Sequence, residues 1–154
     1  MIAELGHFAL VLALVIALLQ ATLPLYGVYA NIPALQRFAR SSALMQAFCL
    51  LLSFAGLIVA FLQNDFTLDY VSRQSNTLLP YYYKISAVWG GHEGSLLLWV
   101  LVLSLWGAAV SLFSHSLPRE MVARVLAIIG MVGVALMSFI LMTSNPFNRI
   151  LPDF

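Results

Sequence analysis

The chain has 154 residues, of which 62% are hydrophobic and 8% are charged, with a formal net charge of +1. Soluble domains have about 25% charged residues, so this composition excludes an ordinary soluble protein and indicates an integral membrane protein. The small net charge gives no support for nucleic-acid binding. The single cysteine, Cys49, lies in an apolar run, which excludes a disulfide framework and favours a packing role.

Apolar segments of membrane-spanning length dominate the chain. A helix of about 20 residues crosses about 30 Å of hydrocarbon. The sequence therefore predicts an all-α polytopic membrane protein with four transmembrane helices, at residues 8–29, 43–62, 93–113 and 122–143. Pro24 and Gly27 are expected to kink the first helix or end it early, and residues 31–42 are predicted to form a short connection.

The longest connection, residues 63–92, is rich in aromatic side chains. Residues 81–83 are consecutive tyrosines, and Trp89 follows shortly before the third span. Aromatic residues that flank a span are typical of the membrane interface. Residues 81–89 are therefore predicted to form a short helix that lies in that interface.

The distribution of basic residues predicts the orientation of the chain. Basic residues in short connections count most toward the cytoplasmic side. The long connection carries Arg73 and Lys84, but acids dilute them, and the N-terminus has no basic residue. In a bacterium, the N-terminus and residues 63–92 would then lie on the periplasmic side of the inner membrane. The short connections after the first and third spans contribute Arg37, Arg40, Arg119 and Arg124.

One motif combines glycines with ionisable residues at the start of the third span. Residues 89–99 read Trp-Gly-Gly-His-Glu-Gly-Ser-Leu-Leu-Leu-Trp. An ionisable pair is costly in lipid, so His92 and Glu93 mark the membrane boundary and indicate a functional role. Gly90 and Gly94 are four residues apart, a spacing that allows another backbone to approach closely in packed membrane helices.

Large side chains recur at seven-residue spacing from this motif, which places them on one face of a helix. One interpretation is a packing face within the bundle. The other is a surface that lines a cavity for a flat aromatic cofactor or contacts another subunit. Glu93 is also explained as an acid that stabilises the start of a helix. The repeat consists of His92, Trp99, Trp106 and Phe113, and the candidate cofactor- or partner-facing residues are Trp89, His92, Glu93 and Trp99.

The other two histidines add one alternative. His7 is predicted to lie on the same side as His92, and a bis-histidine site would form if the first and third spans were neighbours. His115 is at the opposite end of the third span, about 34 Å from His92 by helical rise, and is predicted to be an exposed turn residue. One cysteine and three separated histidines provide no zinc-site spacing, and no catalytic residue is predicted.

The motif at residues 89–99 closely resembles a segment of the polytopic haem lyases of cytochrome c maturation, the CcmF/NrfE family. Shorter blocks agree with the same family in the same order. The resemblance covers the whole chain, whereas family members are several times longer, so the chain resembles their N-terminal part. These blocks are residues 64–67, 75–80, 122–128 and 143–147.

The resemblance implies a role in covalent haem attachment to apocytochrome c on the periplasmic side. Haem would be the cofactor of the larger protein. The implied partners are the rest of that polypeptide, a haem chaperone, apocytochrome c and its thiol-handling maturation factor. The family's tryptophan-rich haem-binding sequence, Trp-Gly-x-Trp-Trp-x-Trp-Asp-Pro, is missing here. This segment is therefore expected to act as a scaffold and docking surface, with no haem bound by the segment alone.

A second hypothesis comes from the residues alone. A transporter or ion-translocating subunit would use His92 and Glu93 at the mouth of the third span in a proton or substrate path. It would also need paired ionisable groups deep in the other spans, and their sequences provide none.

Overall fold

The computed structural model describes residues 1–150, and this part of the chain forms six α-helices. Four of them are long and apolar enough to cross a membrane, which confirms an all-α, multi-pass membrane protein. The two short helices both lie in the long connection. The helices are α1 (Ile2–Tyr29), α2 (Pro33–Leu62), α3 (Asp69–Gln74), α4 (Tyr81–Ala87), α5 (His92–Phe113) and α6 (Arg119–Thr143).

The four long helices form a bundle in which α2 and α6 occupy the central diagonal. Helix α1 packs against α2 and α6, and α5 packs against the same two helices from the other side. Small residues allow the close approaches. A Cβ atom at Gly56 would lie 3.3 Å from the Gly6 Cα atom, and one at Gly130 would lie 3.1 Å from the Ala21 amide nitrogen. Close backbone packing of this kind stabilises helix pairs in lipid, where apolar burial contributes little.

Two buried glutamines connect helices by hydrogen bonds. Gln20 is fully buried, and its Nε2 atom donates to the Leu126 carbonyl oxygen at 2.6 Å, which joins α1 to α6. Gln36 donates from Nε2 to the Gly27 carbonyl oxygen at 3.1 Å, near the α1–α2 connection. An unmet polar group is costly in an apolar interior, so these bonds help to fix the positions of the helices.

The structure corrects two predictions about helix ends. Residues 31–42 are mostly helical, because α2 begins at Pro33 and the connection is reduced to Ala30, Asn31 and Ile32. Proline is well tolerated in the first turn of a helix, where its missing N–H has no intrahelical partner. Helix α1 also continues past Pro24 to Tyr29, which is the predicted end of the first span, so of the two effects expected of Pro24 the early end is wrong.

Candidate functional site

The long connection and the segment after α6 meet at one end of the bundle, which we call the loop end. A single antiparallel bridge pairs Leu68 with Arg149. The Asp69 amide donates to the Asn148 carbonyl oxygen at 3.0 Å, and the Ile150 amide donates to the Thr67 carbonyl oxygen at 2.8 Å. The start of α1 joins this network through a hydrogen-bonded ion pair between Glu4 and Arg149. The opposite end, with residues 30–32 and 114–118, is called the turn end.

Tyr70 holds the turn that leads into α5. Its side chain is buried, and its hydroxyl donates to the Val88 carbonyl oxygen at 2.7 Å while accepting from the Gly91 amide at 3.1 Å. The ring also packs edge-on against Phe61, with 5.4 Å between ring centroids. Burial raises the pKa of the Tyr70 phenol above its usual value, because the charged form would lose its hydration. The neutral hydroxyl is therefore the form that the folded turn requires.

The glycines of the motif make room for this turn. A Cβ atom at Gly94 would lie 1.6 Å from the Val88 carbonyl oxygen, and one at Gly91 would lie 2.6 Å from the Tyr70 ring. The close backbone approach predicted from the glycine spacing is therefore present at Gly94. The approaching backbone, however, belongs to the connection just before α5 and not to a neighbouring transmembrane helix.

Glu93 forms an ion pair that ties α5 to α3. The Arg73 guanidinium donates to Glu93 Oε1 at 2.8 Å and contacts Asp69 Oδ2 at 2.7 Å. These two carboxylates raise the pKa of Arg73, with the hydrogen bond to Glu93 as the largest cause. The Glu93 side chain is 14% exposed and that of Arg73 is 52% exposed, so the pair lies at the protein surface. Glu93 is at the start of α5 and Arg73 is 20 residues earlier, so no sequence pattern predicts that they pair.

His92 and His7 contact consecutive residues at the end of α6. His92 Nδ1 lies 3.1 Å from Ser144 Oγ, and the His92 ring packs edge-on against Phe139. His7 Nδ1 lies 3.4 Å from Asn145 Nδ2. Both histidines are thus at the loop end, as predicted, but the α2–α6 pair separates α1 from α5 and the neighbour condition for a bis-histidine site is not met. Among residues 1–150, no three His, Cys, Asp or Glu side chains form a group that could hold a metal ion.

The tryptophan stripe of α5 faces away from the bundle. Trp99 and Trp106 are each 67% exposed, and Phe113 is exposed as well. These side chains therefore do not pack inside the four described helices, and the interpretations of the stripe as a packing face or as a cofactor- or partner-facing surface both stay predictions. Trp99 and Trp106 instead form one wall of an apolar groove of about 580 Å³, with Val132 and Leu136 of α6 on the other side.

A second exposed aromatic surface lies on α4, as the sequence predicted for a short helix in this region. Tyr81, Tyr82 and Tyr83 are exposed, while Lys84 turns into the protein and is buried. Trp89 is also exposed, and its carbonyl oxygen accepts a hydrogen bond from Ser95 Oγ at 2.6 Å. We call the three tyrosines the tyrosine face. It is presented by a connection that the Tyr70 and Arg73 contacts hold in place.

The fold and the loop end thus define a multi-pass helical membrane protein with an ordered, aromatic connection between its second and third long helices. No family model matches the chain. It is 52% identical to the cytochrome c-type biogenesis protein CcmF of Pseudomonas aeruginosa over 153 residues, covering 99% of this chain and 23% of that protein. It is 49% identical to CcmF of Escherichia coli K12, covering 100% of this chain and 24% of the relative.

More distant relatives agree. The protein NrfE of Haemophilus influenzae is 40% identical, and the match covers 99% of this chain and 24% of NrfE. A solved structure described as cytochrome c haem lyase CcmF superimposes with a TM-score of 0.91 at 28% identity, covering 99% of this chain and 26% of that one. Over essentially its whole length the chain is thus similar to part of these cytochrome c-type biogenesis proteins, as the motif at residues 89–99 predicted. It spans about a quarter of the length of the relatives that it matches.

Proposed function

We propose that this chain is part of a membrane haem lyase for cytochrome c maturation, in which it acts as a scaffold and docking surface. The observation that carries the proposal is the match to CcmF proteins over essentially the whole chain at 49–52% identity. Covalent haem attachment to apocytochrome c would be the activity of the larger protein. We further propose that this segment is the N-terminal part of that protein.

The residues at the loop end do not fit a haem site of their own. His92 Nδ1 is within hydrogen-bond distance of Ser144, and α2 and α6, the long helices that pack against α5, contain no histidine. Glu93 is already paired with Arg73. We therefore assign haem to the larger protein and assign no ligation step to this chain.

The arginine distribution supports a bacterial inner-membrane protein with its loop end in the periplasm. Arg37, Arg40 and Arg119 lie together at the turn end, which the positive-inside rule places in the cytoplasm. The loop end would then face the compartment in which apocytochrome c, its thiol-handling factor and a haem chaperone are expected to meet. The exposed Trp99 and Trp106 would face the membrane or the remaining helices of the polypeptide.

The tyrosine face is the docking surface that we propose for one of the periplasmic partners. Exposed aromatic side chains on an ordered element provide large contact area at low entropic cost, and such residues are frequent hot spots of protein interfaces. The tyrosine face also belongs to the same connection as the polar network that orders the loop end. The structure therefore favours α4 over the exposed ends of the transmembrane helices as the contact surface.

The proposal is tested by cytochrome c yield in a bacterium whose own haem lyase is deleted. The full-length protein would carry Tyr81→Gln, Tyr82→Gln and Tyr83→Gln, which keep helix-forming side chains but remove the rings. Loss of one hot-spot aromatic typically weakens binding about tenfold or more, so the yield is expected to fall at an unchanged membrane level. Tyr26→Gln with Tyr29→Gln is the matched control, because both tyrosines are exposed near the turn end. Equal yields in the two variants would contradict the docking role of α4.

The transporter hypothesis receives no support from the interior of the bundle. The fully buried polar side chains in the described spans include Gln20 and Ser53, which are neutral. Neither can carry the charge of a proton path. The names of the relatives also favour cytochrome c biogenesis over transport.

A further inference from the structure

A basic cleft lies at the turn end, between the first turns of α2 and the α5–α6 connection. It has a volume of about 380 Å³, and three of its five lining residues are arginines. Two of the arginines come from α2 and one comes from α6, so the fold brings their charges together. The lining residues are Arg37, Arg40, His115, Leu117 and Arg119.

The arginines of this cleft have no acidic partner within the described chain. The ion pairs of residues 1–150 involve Arg73, Arg149 and the N-terminal amine, all at the loop end. Glu120 follows Arg119 in the sequence, but it does not line the cleft or form an ion pair there. Several guanidinium groups around one small volume repel one another, and a bound anion would offset that repulsion.

Backbone contacts build the floor of the cleft in advance. Arg40 is half-buried, and its guanidinium donates to the Ser111 carbonyl oxygen at 2.6 Å and to the Ser114 carbonyl oxygen at 2.9 Å. The Ser111 hydroxyl donates in turn to the Arg40 carbonyl oxygen at 3.0 Å. These bonds fix Arg40 against the end of α5, whereas the exposed Arg37 and Arg119 carry guanidinium groups that make no ion pair in the described chain.

Apolar side chains lie in and near the cleft. Leu117 lines it and is exposed, and Phe113 is exposed in the last turn of α5. A ligand that suits both features has an anionic head for the arginines and a hydrocarbon tail for the neighbouring apolar surface. We propose that this cleft binds the phosphate group of an anionic phospholipid. Arginine suits that group because its planar fork donates two parallel hydrogen bonds to phosphate oxygens.

The test is native mass spectrometry of the purified protein with added phosphatidylglycerol and, separately, phosphatidylcholine. One phosphatidylglycerol is expected to stay bound in preference to phosphatidylcholine. The double variant Arg37→Gln with Arg119→Gln should lose about 25-fold in affinity, since each arginine near a membrane surface contributes roughly fivefold. Arg40 is kept because it also holds the backbone. Arg124→Gln is the control, because Arg124 is an exposed arginine near the same end that does not line the cleft.

A lysine double variant and inorganic phosphate provide two further tests. Arg37→Lys with Arg119→Lys keeps the charges but not the planar fork, so its affinity should lie between those of the wild type and the glutamine double variant, which separates a binding loss from a folding defect. Unchanged phosphatidylglycerol binding in the glutamine double variant would overturn the proposal, and so would an equal loss in Arg124→Gln. Inorganic phosphate is the second probe. If it bound as tightly as phosphatidylglycerol, the cleft would be a site for a soluble anion and the lipid assignment would be wrong.

Discussion

Tyr70 shows how a residue outside the recognisable motif determines the shape of that motif. Its hydroxyl joins Val88 to Gly91 across the turn, so the Gly-Gly-His-Glu sequence begins α5 at a defined place. The glycines and His92 stand out in the sequence, whereas Tyr70 does not. Neither the composition nor the residue spacing predicts that this tyrosine is buried and that its hydroxyl bonds two backbone groups.

Replacing Tyr70 with phenylalanine is expected to destabilise the protein by about 1–3 kcal/mol. The substitution keeps the ring but leaves the Val88 carbonyl and Gly91 amide without their partner. Thermal unfolding in detergent would measure the change. Tyr82→Phe is the control, because the Tyr82 side chain is exposed. Equal stability of Tyr70→Phe and the wild type would contradict the role assigned to the hydroxyl.

The raised pKa of Tyr70 predicts a loss of stability at alkaline pH. Below pH about 10 the phenol is neutral in both the folded and unfolded states, and its contribution is fully present. As the pH rises further, the unfolded state releases the proton first, so the free energy of unfolding falls. The difference in stability between wild type and Tyr70→Phe should therefore shrink above pH about 10. A constant difference would contradict the direction of the shift.

Glu93 is expected to matter for local order more than for chemistry. A double-mutant cycle with Glu93→Gln and Arg73→Gln should give a coupling of about 0.2–1 kcal/mol, because Arg73 is half exposed and solvent weakens the pair. Asp69→Asn provides the comparison for the other arm of the Arg73 interaction. Cytochrome c yield should follow the membrane level of each variant. A yield that fails at a normal protein level would instead place Glu93 in direct contact with a partner.

At the level of helices, the sequence predicted the number of long apolar segments but not their faces. The seven-residue spacing of Trp99 and Trp106 correctly places both residues on one side of α5. Spacing cannot tell whether that side is inward or outward, because both protein and lipid are apolar neighbours for a membrane helix. The predicted start of the second span, residue 43, is too late because residues 33–42 are not apolar enough to count as a span.

Pro33 and Arg37 are typical of a connection, yet both are compatible with the first turns of a helix near the membrane surface.

Gly94 is predicted to be the least replaceable small residue of α5. In Gly94→Ala the new Cβ atom would lie 1.6 Å from the Val88 carbonyl oxygen, so the backbone would have to move. Overpacking of this kind typically costs about 1–3 kcal/mol, and membrane level and thermal stability should both fall. Gly90→Ala is the control, because its Cβ atom would meet nothing closer than 3.5 Å. Similar losses in both variants would contradict the steric explanation.

For the molecule as a whole, hydropathy was sufficient to predict the class of fold but not the contacts at the loop end. The four spans follow from local sequence, since each is a continuous apolar run. The hydrogen bonds between the Thr67 region and the Arg149 region join positions 82 residues apart, and no periodic pattern specifies such a pairing. The resemblance at residues 89–99 therefore predicted which proteins this chain is similar to, while the contacts that position this motif required the structure.

The proposed orientation predicts the outcome of reporter fusions. Alkaline phosphatase fused after residue 76, in the long connection, should be active, because the enzyme works in the periplasm. A fusion after residue 116, in the α5–α6 connection beside the arginine cleft, should be almost inactive. The two fusions carry the same reporter and are expected to place it on opposite sides of the membrane. The reverse pattern would place the loop end in the cytoplasm.

The bridge between Leu68 and Arg149 makes the order of synthesis part of the folding problem. At about 5–20 residues per second, the ribosome needs roughly 4–16 seconds to add the 82 residues that separate Thr67 from Arg149. During that interval α5 and α6 have to be made and inserted. The hydrogen bond from the Asp69 amide to the Asn148 carbonyl oxygen cannot form before Asn148 has been added. The loop end is thus completed only after α6 has been made. An ordered loop end therefore indicates that the four long helices have been inserted.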